Sequence, residues 1–223
     1  MSELMRDSEV TEALDHRHWR VVLGRIHGTF RTGSFTRGLE LTQQVAAVAE
    51  QMNHHPDVDL RYGSVHLSCV SHDVGGLTAR DVALARAVSA VVDELGVEAA
   101  PTASQALEIA IDALDIPAVL PFWRAVLGYV DEPAPAEGAL PALADPAGRG
   151  AAVWFQQMDE PRPQRNRIHL DVSVPHDVAE ERVAAALAAG GHLVSDTRAP
   201  AFWVLADGEG NEACVCTWQA REG

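Results

Sequence analysis

Glu50-Gln51-Met52-Asn53-His54-His55-Pro56, followed after a strand-like stretch by Ser71-His72-Asp73-Val74-Gly75-Gly76-Leu77-Thr78-Ala79-Arg80-Asp81, decides how the chain is read. Leu41, Val45, Val48, Ala49 and Met52 recur at helical spacing up to this point, and Pro56 ends the run. His54 and His55 therefore stand where a helix stops, and the partial negative charge of a helix C-terminus favours a protonated imidazole. His72 follows the alternating segment Arg61–Val70 and precedes a Gly-rich turn into the next helix. Two imidazoles from one corner and a third from another can converge on a pocket. Groups that titrate near ~6.5 suit proton transfer at neutral pH.

Working outward, Arg25–Arg31 alternates as a second strand. A helix is expected from Thr78 to Leu95, with Val82, Ala85, Val88 and Val92 on one face and Gly96 as its stop. A short helix fits Ser8–Asp15. The fold class is α+β, with helices on one face of a small antiparallel sheet. Asp81 lies three residues past Thr78, a capping-box spacing, so a helix-start role stands beside a pocket role. Glu50 also reads as a solvated helix residue. His16 and His18 are expected at the surface, and His27 and His66 as ordinary strand positions.

The composition is that of a folded protein: 223 residues, 47% hydrophobic and 22% charged. Thirty-two acids face 17 bases, all arginine, and the net charge of −15 repels phosphate backbones and anionic lipid. Nucleic acid and membrane surfaces are thus excluded as expected partners. No apolar run reaches the ~18–20 residues of a membrane span, and the polar N-terminus lacks a signal-peptide core. Three cysteines, two of them at Cys214 and Cys216 in one strand-like run, argue against a disulfide framework and fit a reducing, cytoplasmic location. Small and polar residues at 96–105 separate a helical pattern from a strand pattern, which places a domain boundary near residue 100, giving domains 1–99 and 100–223.

The second half repeats itself. Ala106–Asp112 leads into a helix around Pro117–Leu127 and then a strand ending at Phe155; Arg167–Val174 leads into Val178–Ala189 and then a strand ending at Cys216. Two units of strand, helix and further strands make a paired βαβββ domain.

Residues 10–96 closely resemble the pterin-4a-carbinolamine dehydratase family. The family pattern is an acidic residue four before His-His-Pro, a tyrosine-containing strand, Thr/Ser-His, a Gly-Leu-Thr/Ser turn and a helix opening on a polar pair with Asp. Here it reads Glu50, His54-His55-Pro56, Tyr62, Ser71-His72, Gly76-Leu77-Thr78 and Arg80-Asp81. Trp19 and the Phe30-containing strand fit upstream. The chain departs at Val58, where members often carry an aromatic, and at Asn53, where many carry Asp. The resemblance implies dehydration of 4a-hydroxytetrahydropterin to quinonoid dihydropterin in tetrahydropterin recycling. It implies that His54, His55 and His72 are the catalytic imidazoles, with Asp81 and Glu50 as substrate-binding residues. A proton-transfer elimination of this kind needs no metal or organic cofactor. Family domains pair through sheets and helices, which implies a homo-oligomer with a small pterin as its substrate.

Phe122-Trp123, Leu127-Gly128, Asn166-Arg167, His169-Leu170-Asp171 and the closing Asp207-x-Glu209-Gly210-Asn211-Glu212 resemble the glyoxalase-like, vicinal-oxygen-chelate superfamily over about residues 104–220. Metal-dependent members draw ligands from the first strand of each module and from the closing strands. The matching positions here are Glu108, His169 and Cys214, with Ala152 at the fourth, so a metal-free domain is the commoner expectation. Two other readings stay open: a non-catalytic dimerisation or regulatory module in the first domain, and a metal-dependent lyase, isomerase or dioxygenase in the second.

Overall fold

The computed structural model describes residues 3–132, 140–161, 169–174, 177–217 and 219–220. They form two units, Met1–Ala106 and Leu107–Gly223.

In the first unit, α1 (Asp7–Ala13) opens with the Arg6 backbone N–H and guanidinium both donating to the Glu9 carboxylate. Strands β1 (Trp19–Val22) and β2 (Arg25–Arg31) form a hairpin whose two loop residues, Leu23 and Gly24, both take positive φ (48° and 65°). That turn matches the twist of the flanking strands. Ser34 caps α2 (Phe35–Met52), which is followed by β3 (Asp57–Arg61) and β4 (Ser64–Cys69). The second long helix, α3 (Ala79–Leu95), runs between a Thr78 cap and Gly96 at φ 60°, as its sequence predicts. The chain then returns as β5 (Glu98–Ala99), pairing Ala99 with Phe30 and Glu98 with Arg31. The segment read as a connector thus begins as a strand of the first sheet.

The sheet order is β1-β2-β4-β3, all antiparallel, with β5 against the far end of β2. Ile26, Phe30, Val65 and Leu67 face α2 and α3, meeting Leu41, Val45, Leu84 and Val88 in one core. Trp19 closes that core, its Nε1 donating to Ser89 Oγ at 2.9 Å and its ring edge-on to Phe30. It lies so close to β2 that a Cβ at position 28 would stand 2.6 Å from the ring, which is why Gly28 is there. His18 corrects an expectation: it is 4% exposed, not a surface residue. The turn that bonds its N–H to the Asp15 carbonyl tucks the imidazole beside Phe30, with Nε2 3.3 Å from Asp93.

On the opposite sheet face, His27 Nδ1 and His66 Nε2 lie 3.1 Å apart, and His66 Nδ1 is 2.9 Å from Thr29 Oγ1. Burial, with His66 and Arg25 nearby, pushes the His27 imidazole from 6.5 down to about 4; burial also lowers His66. The native state therefore keeps His27 neutral over a range in which the unfolded chain takes up a proton. Its contribution to stability is complete above pH 6.5 and is lost as pH falls toward about 4. The loss is at most about 3 kcal/mol. We expect urea midpoints to fall between pH 7.5 and 4.5, and to fall less in His27→Gln; equal acid slopes in both proteins would refute the assignment.

In the second unit, the first module is β6 (Glu108–Ala113), α4 (Ile116–Leu127), β7 (Val130–Asp131), β8 (Ala142–Ala144) and β9 (Ala152–Gln157). The second is β10 (Leu170–Ser173), α5 (Ala179–Ala188), β11 (His192–Ser195), β12 (Phe202–Ala206) and β13 (Glu212–Cys216). Their sheets run β6-β9-β8-β7 and β10-β13-β12-β11, each pairing its first and last strands in parallel. This is the paired βαβββ arrangement that the repeat predicts. The two modules share one core built on Phe122, Val126, Phe155, Val183 and Leu205. Polar ties join them: Trp123 Nε1 donates to buried Asp207 at 3.0 Å, and Glu209 accepts from the backbone N–H groups of Leu114 and Asp115. Asn166-Arg167 of the second module's opening motif lies outside the described residues. Among the described residues, no helix is long and apolar enough to cross a membrane.

Candidate functional site

The end of α2 builds one wall of the site. Asn53 adopts a left-handed conformation at φ 47°, and the N–H groups of Asn53 and His54 both reach back to carbonyls of the last helical turn. Asparagine tolerates that conformation better than most residues, so the Asn53 departure suits the backbone here. The turn sends His54 inward, 8% exposed, and His55 outward. The opposite wall is the loop after β4. Ser71 and Gly76 close it through a backbone bridge, with Gly75 at φ 65°, and His72 sits exposed at its start.

Between these walls lies an open cleft of about 370 Å³, lined by Asn53, His54, His55, His72, Asp73 and Arg80. The volume lies in the range of small-molecule sites, roughly 300–1,000 Å³. All three predicted histidines thus share one cleft.

Asp81 stands behind it, fully buried at the first turn of α3. Its two oxygens have different tasks. Oδ2 accepts from the Thr78 backbone N–H (2.8 Å), Ser71 Oγ (2.7 Å) and Thr78 Oγ1 (3.2 Å), while Oδ1 lies 2.7 Å from His54 Nε2. The helix-cap reading of this residue is thus seen at Oδ2, while Oδ1 reaches the cleft only through His54, because Asp81 is buried behind the lining. A carboxylate only accepts, so the bond requires Nε2–H on His54 and leaves Nδ1 as the ring position that carries a lone pair when the imidazole is neutral. Glu50 is a solvated residue on α2 whose Oε1 lies 3.2 Å from His55 Nε2; it touches the site only through that imidazole.

Asp73 and Arg80 were not singled out from the sequence as site residues. They form an ion pair at the mouth, and the Arg80 guanidinium holds the Asp73 carboxyl below the usual carboxylate range. Among the described residues, Arg80 Nε is buried without a partner. The signal for both was their place inside the Ser71–Asp81 motif, flanking the loop.

In the second unit, the predicted donors Glu108, His169 and Cys214 do not gather as one set. Glu108 is exposed on β6, paired with Ala152. His169 and Cys214 instead group with Asp171, their donor atoms all within 4.8 Å of one another. The residues present thus do not fit a metal shared between the modules. Cys216 is buried on β13, and the buried Cys214 thiol is pushed up to about 12 by desolvation, with Asp171 beside it.

Residues 3–91 match the family model described as pterin 4 alpha carbinolamine dehydratase, and residues 108–216 match that of a glyoxalase-like domain. A protein of Chloroflexus aurantiacus, provisionally named pterin-4-alpha-carbinolamine dehydratase, is 38% identical over 89 residues, covering 40% of this chain and 96% of the relative. Through its first half, the chain belongs to the pterin-4-alpha-carbinolamine dehydratase family. Among solved structures, a transcriptional coactivator/pterin dehydratase from Brucella melitensis is similar at 28% identity and a TM-score of 0.37, over 40% of this chain and 98% of the other. A glyoxalase/bleomycin resistance protein/dioxygenase family enzyme from Burkholderia phytofirmans is similar at 19% identity and a TM-score of 0.41, over 49% and 95%.

Proposed function

We propose that the first unit is a 4a-hydroxytetrahydropterin dehydratase that works by histidine acid/base catalysis. The observation that carries this reading is the convergence of His54, His55 and His72 on one cleft, with Asp81 fixing the tautomer of His54 from behind. Elimination of water breaks the C4a–O bond and removes the proton from N5. The departing hydroxyl takes up one proton and leaves as water, and the N5 proton passes to a base, leaving the quinonoid dihydropterin. Neutral His54 offers Nδ1 as an acceptor in a fixed orientation, and an imidazolium at His55 or His72 can supply the proton to the hydroxyl. The Arg80–Asp73 pair at the mouth offers polar partners for the heteroatoms of a pterin ring. Family membership supports the substrate class.

Stopped-flow measurement of 4a-hydroxytetrahydropterin dehydration tests this reading. The wild-type protein is expected to accelerate the reaction above the buffer rate in proportion to its concentration. A folded protein that leaves the buffer rate unchanged would overturn the enzymatic reading and favour a binding or dimerisation role.

A further inference from the structure

A line of nucleophilic and titratable side chains lies outside the cleft and takes no part in the chemistry proposed for it. On the sheet face away from the helices, His66 Nδ1 stands 2.9 Å from Thr29 Oγ1, and His66 Nε2 stands 3.1 Å from His27 Nδ1. Register accounts for the line: Thr29 of β2 is paired directly with His66 of β4, and His27, two residues back along β2, shares the face of Thr29. Both spacings fall within the roughly 2.6–3.2 Å that link a hydroxyl nucleophile to its base, the base being oriented in turn by a third group. We propose that Thr29, His66 and His27 are the nucleophile, the base and the orienting group of a second reactive site, which takes acyl groups from small activated esters.

His27 Nε2 makes no close hydrogen bond among the described residues, yet the Val22 backbone carbonyl nearby favours a proton on the ring. With that proton on Nε2, His27 Nδ1 accepts from His66 Nε2–H, and His66 Nδ1 keeps its lone pair for the Thr29 hydroxyl. Burial holds both imidazoles below the usual histidine range, so the base is unprotonated at neutral pH. His27 is buried while Thr29 and His66 are half-buried, so the orienting group is fixed and the reacting pair reaches the surface. In the reaction, Thr29 Oγ bonds to the carbonyl carbon of the ester and its proton passes to His66 Nδ1. The ester C–O bond then breaks, and the leaving alcohol takes up that proton. Water attacks the acyl-threonine by the same route, which releases the acid and returns a proton to Thr29. Ser104 Oγ, 3.3 Å from Thr29 Oγ1, is a hydroxyl donor beside the carbonyl oxygen on which negative charge develops.

Treating the full-length protein with p-nitrophenyl acetate tests the proposal, and no pterin enters the readout. The chain has no lysine, which removes the usual background of lysine acetylation, and trypsin releases residues 26–31 with Thr29 as their only hydroxyl. The expected result is an acetyl ester on Thr29, located by fragment mass spectrometry and formed faster in the folded protein than in urea. The label should vanish in Thr29→Val and persist in Thr29→Ser. Its rate should fall at least about tenfold in His66→Gln, which cannot take up the proton. His27→Gln, whose amide oxygen can still accept from His66 Nε2–H, should keep more of the rate than His27→Leu, with circular dichroism showing each variant folded. Equal rates in those two variants would remove His27 from the site. No acetyl on residues 26–31 of the folded wild-type protein, a rate no higher than in urea, or an unchanged rate in His66→Gln would each overturn the assignment.

Discussion

Replacing His54 by alanine is expected to lower kcat/KM for 4a-hydroxytetrahydropterin dehydration by roughly 10²–10⁴-fold, the usual worth of one positioned acid or base. Of the three imidazoles, His54 alone is buried and bonded to a buried carboxylate, so its orientation and protonation pattern are set before substrate arrives. The fold should survive the change, because Asp81 keeps its three other donors at Oδ2. His72→Ala should also fall steeply. His55→Ala should fall less, since that imidazole is exposed and bonded only to solvated Glu50. A His54→Ala protein that retains wild-type kcat/KM would remove this residue from the chemistry.

Asp81→Ala should give the largest loss of stability in the first unit, about 3–5 kcal/mol. A helix cap alone is worth ~1 kcal/mol, but here the loss also strands Ser71, Thr78 and His54 without their buried acceptor. Urea denaturation should show a lower midpoint at an unchanged m value. Asp81→Asn separates the two tasks of this side chain. Its carbonyl can still accept at the helix start, so much of the stability should return. The amide N–H₂ then faces His54 Nε2 and forces the other tautomer, so activity should remain low. Wild-type activity in Asp81→Asn would reduce Asp81 to a cap and nothing more.

Much of the first unit was legible because its punctuation is local. Thr78, Asp81 and Gly96 mark the limits of α3, and Pro56 and Asn53 mark the end of α2. The beginning of α2 was harder to read: Gly38 interrupts the apolar pattern, and it is there because Leu60 and Thr32 crowd the helix. Strand β3 was missed although Asp57-Val58-Asp59-Leu60-Arg61 alternates, because the run is short, sits directly after Pro56 and leaves four of its five residues exposed. The three histidines were readable from spacing, but the division of labour between the two Asp81 oxygens was not, since it depends on how α3 docks beside the end of α2. In the second unit the opening and closing strands of each module were legible, but the short strands between them and the pairing of all of them were not. Whether Cys214 stands beside Asp171 or one residue away is a matter of register, which no local pattern reports.

The short strand β5 bears on how the first unit can be excised. It covers the far half of β2 by pairing with Phe30 and Arg31, and the Ala100 N–H adds a further bond to the Thr29 carbonyl at 2.7 Å. A fragment cut at residue 91, where the family match ends, keeps every histidine of the cleft but loses the last turn of α3 with buried Val92 and uncovers those backbone groups. Such a raw sheet edge recruits strands from other molecules, so the fragment should self-associate for reasons unrelated to any native assembly. Excision after Ala106 leaves the edge sealed.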